Sequence, residues 1–90
     1  MLFRAKEIFE ARNIIEDYLD SATRNRSHTI NISLPEYLSE QLINSAFNNY
    51  YYISYKYMWV LTRPVEVTSK EDESVILKLF FVAEEIEEED

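Results

Sequence analysis

Tyr50-Tyr51-Tyr52-Ile53-Ser54-Tyr55-Lys56-Tyr57-Met58-Trp59-Val60-Leu61-Thr62 is the stretch on which the fold turns. Aromatic and β-branched residues dominate it, and such side chains suit a pleated, half-buried surface better than a helix. Read as one strand, it places Tyr51, Ile53, Tyr55, Tyr57, Trp59 and Leu61 on one face. Tyr50, Tyr52, Ser54, Lys56, Met58 and Val60 then take the other. Ile53, Tyr57, Val60 and Leu61 also have helical spacing, so a helix over 50–62 is the competing reading.

Downstream, Pro64 marks a bend or an edge position. Val65-Glu66-Val67-Thr68 resumes a strand, and Ser69 to Ser74 is a charged turn. Val75 to Ala83 is apolar enough for a central strand, with Lys78 its only charge.

Upstream, Ser33-Leu34-Pro35-Glu36 fits a capping box, with Ile32 and Tyr37 at the positions of a hydrophobic staple. It predicts a helix carrying Leu34, Leu38, Leu42 and Ala46, with Ile43 and Phe47 beside them, ended by Asn48-Asn49. Thr29 to Ile32 alternates as a short strand that sends Ile30 and Ile32 to the core. Before it, Leu2 to about Thr23 reads as an amphipathic helix whose stripe is Ile8, Ala11, Ile15, Tyr18, Leu19 and Ala22. The expected fold is therefore α+β: an antiparallel sheet of three to four strands with two helices on one face, in the order α-β-α-β-β-β. Residues 1–83 form one globular domain, and 84–90 form a flexible acidic tail.

Composition narrows the chemistry. The chain has no cysteine, so neither a disulfide framework nor a thiolate nucleophile is expected. It has no glycine, which removes the phosphate-cradling loops of nucleotide enzymes. His28 is the single histidine and stands in the polar connection Arg24 to His28, without a second ligand or base nearby in sequence. No enzyme activity, cofactor or metal is expected. The longest apolar runs, Tyr57–Leu61 and Leu79–Ala83, are too short to cross a bilayer, and charges at Arg4, Lys6 and Glu7 interrupt any leader-like core. A cytoplasmic location is the expectation.

The net charge of −8 is unevenly distributed. Six of the 17 carboxylates fall in the last seven residues, leaving 11 against 9 Lys and Arg over residues 1–83. The acidic candidates for partner binding are Glu10, Asp17 and Asp20 on the first helix, Glu71, Asp72 and Glu73 in the turn, and Glu84, Glu85, Glu87 and Glu88 in the tail. The aromatic candidates are Phe9, which projects away from the helix stripe, and Tyr51, Tyr55, Tyr57 and Trp59. Tyrosine and tryptophan favour interfaces because they bury much area and keep a polar handle.

The basic lead-in, alternating strand and capped helix of Arg24 to Phe47 resemble the first half of ribbon-helix-helix DNA-binding proteins. That resemblance implies a dimeric regulator whose ribbon enters the major groove, with Arg24, Arg26, Thr29 and Asn31 as DNA contacts. The favoured expectation is different: a non-catalytic binding protein that inhibits or regulates another protein. Its anionic surface would mimic nucleic acid toward a basic nucleic-acid-binding partner. In composition the chain resembles small phage or mobile-element inhibitors. A homodimeric structural or assembly subunit is a further reading.

Overall fold

A computed structural model describes residues 1–90 except Thr23, Glu71 and residues 87–90. The elements run β1 (Leu2–Arg4), α1 (Ile8–Ser21), β2 (Ser27–Pro35), α2 (Glu40–Phe47), β3 (Tyr51–Ser54), β4 (Tyr57–Leu61), β5 (Glu66–Ser69) and β6 (Ser74–Glu85). They form an α+β domain with a mixed sheet of six strands in the order β1-β2-β6-β4-β3, and β5 also pairs with β6.

β6 is the central strand, as its sequence predicts. β2 follows one edge of it from Ser27↔Val82 to Pro35↔Ser74. The other edge is shared: β4 pairs with the C-terminal half and β5 with the N-terminal half. Between Leu61↔Phe81 and Glu66↔Lys78, the four residues 62–65 stand opposite only Leu79 and Phe80. Pro64 sits in this bulge, where no ladder N–H is needed. The insertion is an even number of residues, so Trp59 and Val67 stay on the same face.

That face holds the core. Ile30, Ile32 and Leu34 of β2 alternate inward beside Val75, Leu77, Leu79, Phe81 and Ala83 of β6. Helix α1 lays Ala11, Ile15 and Leu19 on them, and α2 adds Ile43 and Phe47. Ile8, Tyr18 and Ala22 flank the α1 stripe, so the helical periodicity of the sequence is correct there.

Several sequence expectations fail, each for a non-local reason. Leu2–Arg4 is not helical but pairs in parallel with Asn31–Ser33, and Ala5 N–H continues the pairing to the Ser33 carbonyl at 2.9 Å. The sheet has six strands rather than three to four, and one pairing is parallel. Ser33-Leu34-Pro35-Glu36 caps no helix: Ser33 to Pro35 belong to β2, and Glu36 N–H donates to the Glu73 carbonyl at 3.1 Å. The true cap is Ser39, whose hydroxyl accepts from Leu42 N–H at 3.1 Å. Starting later rotates the helix, so Ile43 and Phe47 are buried and Leu42 is exposed. β6 also runs through Glu85, which places Glu84 and Glu85 in the sheet and not in a tail.

The 50–62 stretch is two strands joined by the turn Tyr55-Lys56. With Ile53 opposite Met58, odd residues of β3 share a face with even residues of β4. The continuous aromatic face expected from one strand is therefore split. Without glycine, three non-glycine residues among those described take positive φ: Asn49 at 59°, Tyr55 at 55° and Glu73 at 63°. Asparagine tolerates this region, whereas tyrosine and glutamate do so at a cost.

Two changes in stability are expected. Glu73→Gly relieves the left-handed backbone while keeping the Glu73 carbonyl as acceptor, and should stabilise by about 1 kcal/mol in urea unfolding. Ser39→Ala should cost about 1 kcal/mol by removing the α2 cap.

Candidate interaction surface

The two faces of the sheet differ. The helices cover one; the opposite face carries Tyr51 and Ile53 of β3, Met58 and Val60 of β4, and Phe80 and Val82 of β6. Tyr51 lies opposite Val60, which lies opposite Val82, so these side chains form one row across three strands. Tyr51 is 59% exposed and Ile53 54%, while the other four are half-buried. The Arg63 guanidinium lies 3.5 Å from the Phe80 ring centroid and covers that ring. Toward β1 and β5 the same face becomes polar, with Asn31, Lys78 and Glu66 in register.

β3 is also an edge strand, and its outer side pairs with no described strand. Ser54 and Tyr57 close the two-residue hairpin, and antiparallel alternation then turns the N–H and C=O of Tyr51 and Ile53 outward. Beside the start of β3 an open groove of about 970 Å³ is lined by Asn44, Asn48, Asn49, Tyr51, Val60 and Arg63, among others. Among the described residues its lining holds no carboxylate or imidazole beside Ser45 or Thr62.

On the covered side, α1 meets β3 through matched spacing. Four residues of helix rise about 6 Å and two residues of strand about 6.7 Å. Hence Glu16 and Asp20 stand over Tyr50, Tyr52 and Ser54. The Tyr50 hydroxyl donates to Glu16 at 2.9 Å, and Tyr52 and Ser54 both donate to Asp20, at 2.9 and 2.5 Å. One turn earlier Arg12 donates to the Ala46 carbonyl at 2.7 Å, near the C-terminus of α2, where a cation is favoured. Its guanidinium also lies 5.7 Å from the Tyr50 ring centroid.

The acidic candidates therefore separate. Asp20 is a structural acceptor under the sheet edge and not a free contact. Asp17 and Glu84 are exposed, and Glu10 is half-buried. Glu85 pairs with Arg26 at 2.6 Å. Asp72 accepts from the Ser74 hydroxyl, which together with local backbone hydrogen bonds holds its carboxyl below the usual range. Glu73 serves the turn. Glu71, Glu87 and Glu88 lie outside the described residues.

Among the aromatics, Phe9 is 70% and Tyr55 87% exposed, but Tyr57 packs against the core and Trp59 is buried. Tyr57 and Trp59 thus leave the expected binding face, because the hairpin turns them under the helices. His28 is no solvated loop residue: it lies on β2, hydrogen-bonds the Tyr18 hydroxyl at 3.0 Å through Nδ1, and donates through Nε2 to the Asn25 carbonyl at 3.1 Å. Arg24, Arg26 and Thr29 are exposed. However, β2 pairs along its whole length with β6, so it cannot form the free two-stranded ribbon that the ribbon-helix-helix resemblance implies.

The sequence reading missed Met58, Val60, Phe80 and Val82. Their signal was visible in β6. A run apolar at nearly every position is the pattern of a strand covered on both faces, while the helices cover only one. Among the described residues no helix is long and apolar enough to cross a membrane.

The tyrosines give a pH signature. Burial between helix and sheet, then the Asp20 hydrogen bond, push Tyr52 up to about 12 from 10.0. Burial, then the bond to Glu16, push Tyr50 higher still. The folded state holds these protons more tightly than the unfolded chain, so their contribution is complete below pH 10 and is lost as pH rises through the folded values. The urea midpoint should fall steadily above pH 10, and Tyr52→Phe should flatten that fall and remove one late-titrating phenol from the near-ultraviolet absorbance titration.

No protein-family model, curated protein or solved structure matches the chain.

Proposed function

We propose that this chain is a non-catalytic binding protein that inhibits or regulates a protein partner by seating it on the uncovered face of its sheet. One observation carries the reading: β3, β4 and the C-terminal half of β6 bear apolar side chains on a face that no described element covers. Contiguous exposed apolar rows on small domains mark interaction sites. The aromatic at its β3 margin, Tyr51, is the residue type that concentrates binding energy at such sites.

The charge supports a basic partner. The described surface around β3 carries Asp17 and Glu84 as free carboxylates, and the chain as a whole stands at −8. Glu84 beside Met58 on the open face and Asp17 on the helix side of β3 suit a nucleic-acid-binding protein, whose basic patch they would meet in place of phosphates, while Arg63 and Lys78 are cations on the open face. The mimicry is local, confined to the β3 side, because residues 1–83 are nearly balanced in charge.

The test is affinity capture by the full chain from nuclease-treated extract of its native cell, followed by measurement of the Kd for the captured protein. Tyr51→Ser with Ile53→Ser should weaken that Kd by about tenfold or more, while Phe9→Ser leaves it within about twofold. Unchanged affinity in the double variant sinks the reading, and loss of every partner on nuclease treatment points to nucleic acid instead.

A further inference from the structure

Resting on that reading, we infer that the partner's contact segment is an extended peptide alternating basic and apolar residues, which adds to the sheet as a seventh strand along the outer edge of β3. Strand addition needs an edge with unpaired backbone groups, and Tyr51 and Ile53 present theirs outward. It also needs an edge without local protection. β3 contains no proline, lysine or charged residue, which are the usual guards of an edge strand.

The side-chain pattern of the guest follows from what flanks the edge on its two faces. On the uncovered face a guest strand would lie beside Tyr51 and Ile53, which favour β-branched or aromatic neighbours. On the other face it would lie beneath the C-terminal half of α1, where Asp17 is the exposed carboxylate and Glu16 and Asp20, bound to the β3 hydroxyls, add negative potential. The last turn of α1 holds no basic residue, and the helix dipole adds further negative charge there. Among the described residues, Glu16 and Asp20 accept only from hydroxyls, and Asp17 has no ion pair. Of the next cations along the chain, Arg26 is taken by Glu85, and Arg24 makes no ion pair with a described residue. Because neighbouring residues of a strand point to opposite faces, cations at every second position would meet the carboxylates while the intervening residues meet the apolar row.

The same carboxylates argue against a second copy at this edge. Two chains joined β3 to β3 would bring two α1 C-terminal ends together on one face, with like charges and like dipole ends apposed. The edge is thus closed to self and open to a cation-bearing strand, a form of discrimination by charge.

The experiment uses the full chain, isotope-labelled, with three synthetic probes: a peptide alternating lysine and valine, its glutamate-for-lysine counterpart, and a peptide of the first composition with lysines and valines in separate blocks. The alternating lysine peptide should bind at least about tenfold more tightly than either control and slow amide exchange at Tyr51 and Ile53. Ile53→Pro, which removes an outward N–H at an edge position that tolerates proline, should abolish that binding. Asp17→Lys, at an exposed site, should weaken the lysine probe and leave the fold intact. Equal binding of the block peptide, no protection at Tyr51 and Ile53, or self-association through β3 would each overturn the inference. Should the partner's Kd respond to the Tyr51→Ser and Ile53→Ser pair while the peptide arms fail, the face reading stands and the edge inference falls. Insensitivity in both removes both.

Discussion

The ladder between β2 and β6 holds the rest of the domain in place. Nine registered pairs run from Ser27↔Val82 to Pro35↔Ser74, and three alternate ones, Ile30↔Leu79, Ile32↔Leu77 and Leu34↔Val75, send two apolar side chains each into the core. Because those rows are inward-facing on both strands, a one-residue slip would turn the whole set to the other face. Register is therefore fixed by burial, and the fixed register sets the positions of β1, β4 and β5. It also overrides local preference. Ser33 to Pro35 carry a good helix-start signal, yet Leu34 is worth more opposite Val75 than in the first turn of a helix.

A second constraint positions β3. The hydroxyls of Tyr50, Tyr52 and Ser54 are held under α1 by Glu16 and Asp20, and charged acceptors of this kind make strong hydrogen bonds. Leaving Ser54 without its partner would strand a buried polar group. Since the covered side of β3 is bound in this way, its alternate residues, Tyr51 and Ile53, have to face the open side. The exposed row is thus a consequence of how α1 and β3 are joined. The negative charge beside it has the same origin, because the carboxylates that hold the strand also flank its free edge.

The absence of glycine shapes the reversals that make this arrangement possible. Tyr55 turns the β3–β4 hairpin and Glu73 the approach to β6, both in left-handed backbone. At Tyr55 the result is a phenol at 87% exposure on the tip of the strand pair that carries the open row. A glycine there would ease the turn but remove that side chain.

By itself the sequence determined the features that depend on near neighbours. The α1 stripe, the β character of 50–62, the central position of Val75–Ala83 and the bend at Pro64 all follow from periodicity and residue type, and all are present in the structure. The exclusion of phosphate-cradling loops likewise needs only composition. Only the tertiary structure decided which partner each segment takes. Leu2–Arg4 left a helical pattern to pair with β2, Asp20 left the solvent for Tyr52 and Ser54, and Tyr57 and Trp59 left the expected aromatic face for the core. The 50–62 stretch shows why: its residue types declared strand, but a two-residue turn reverses the parity of everything after it. No local pattern states where such a turn falls when tyrosine and lysine, not glycine or asparagine, occupy it.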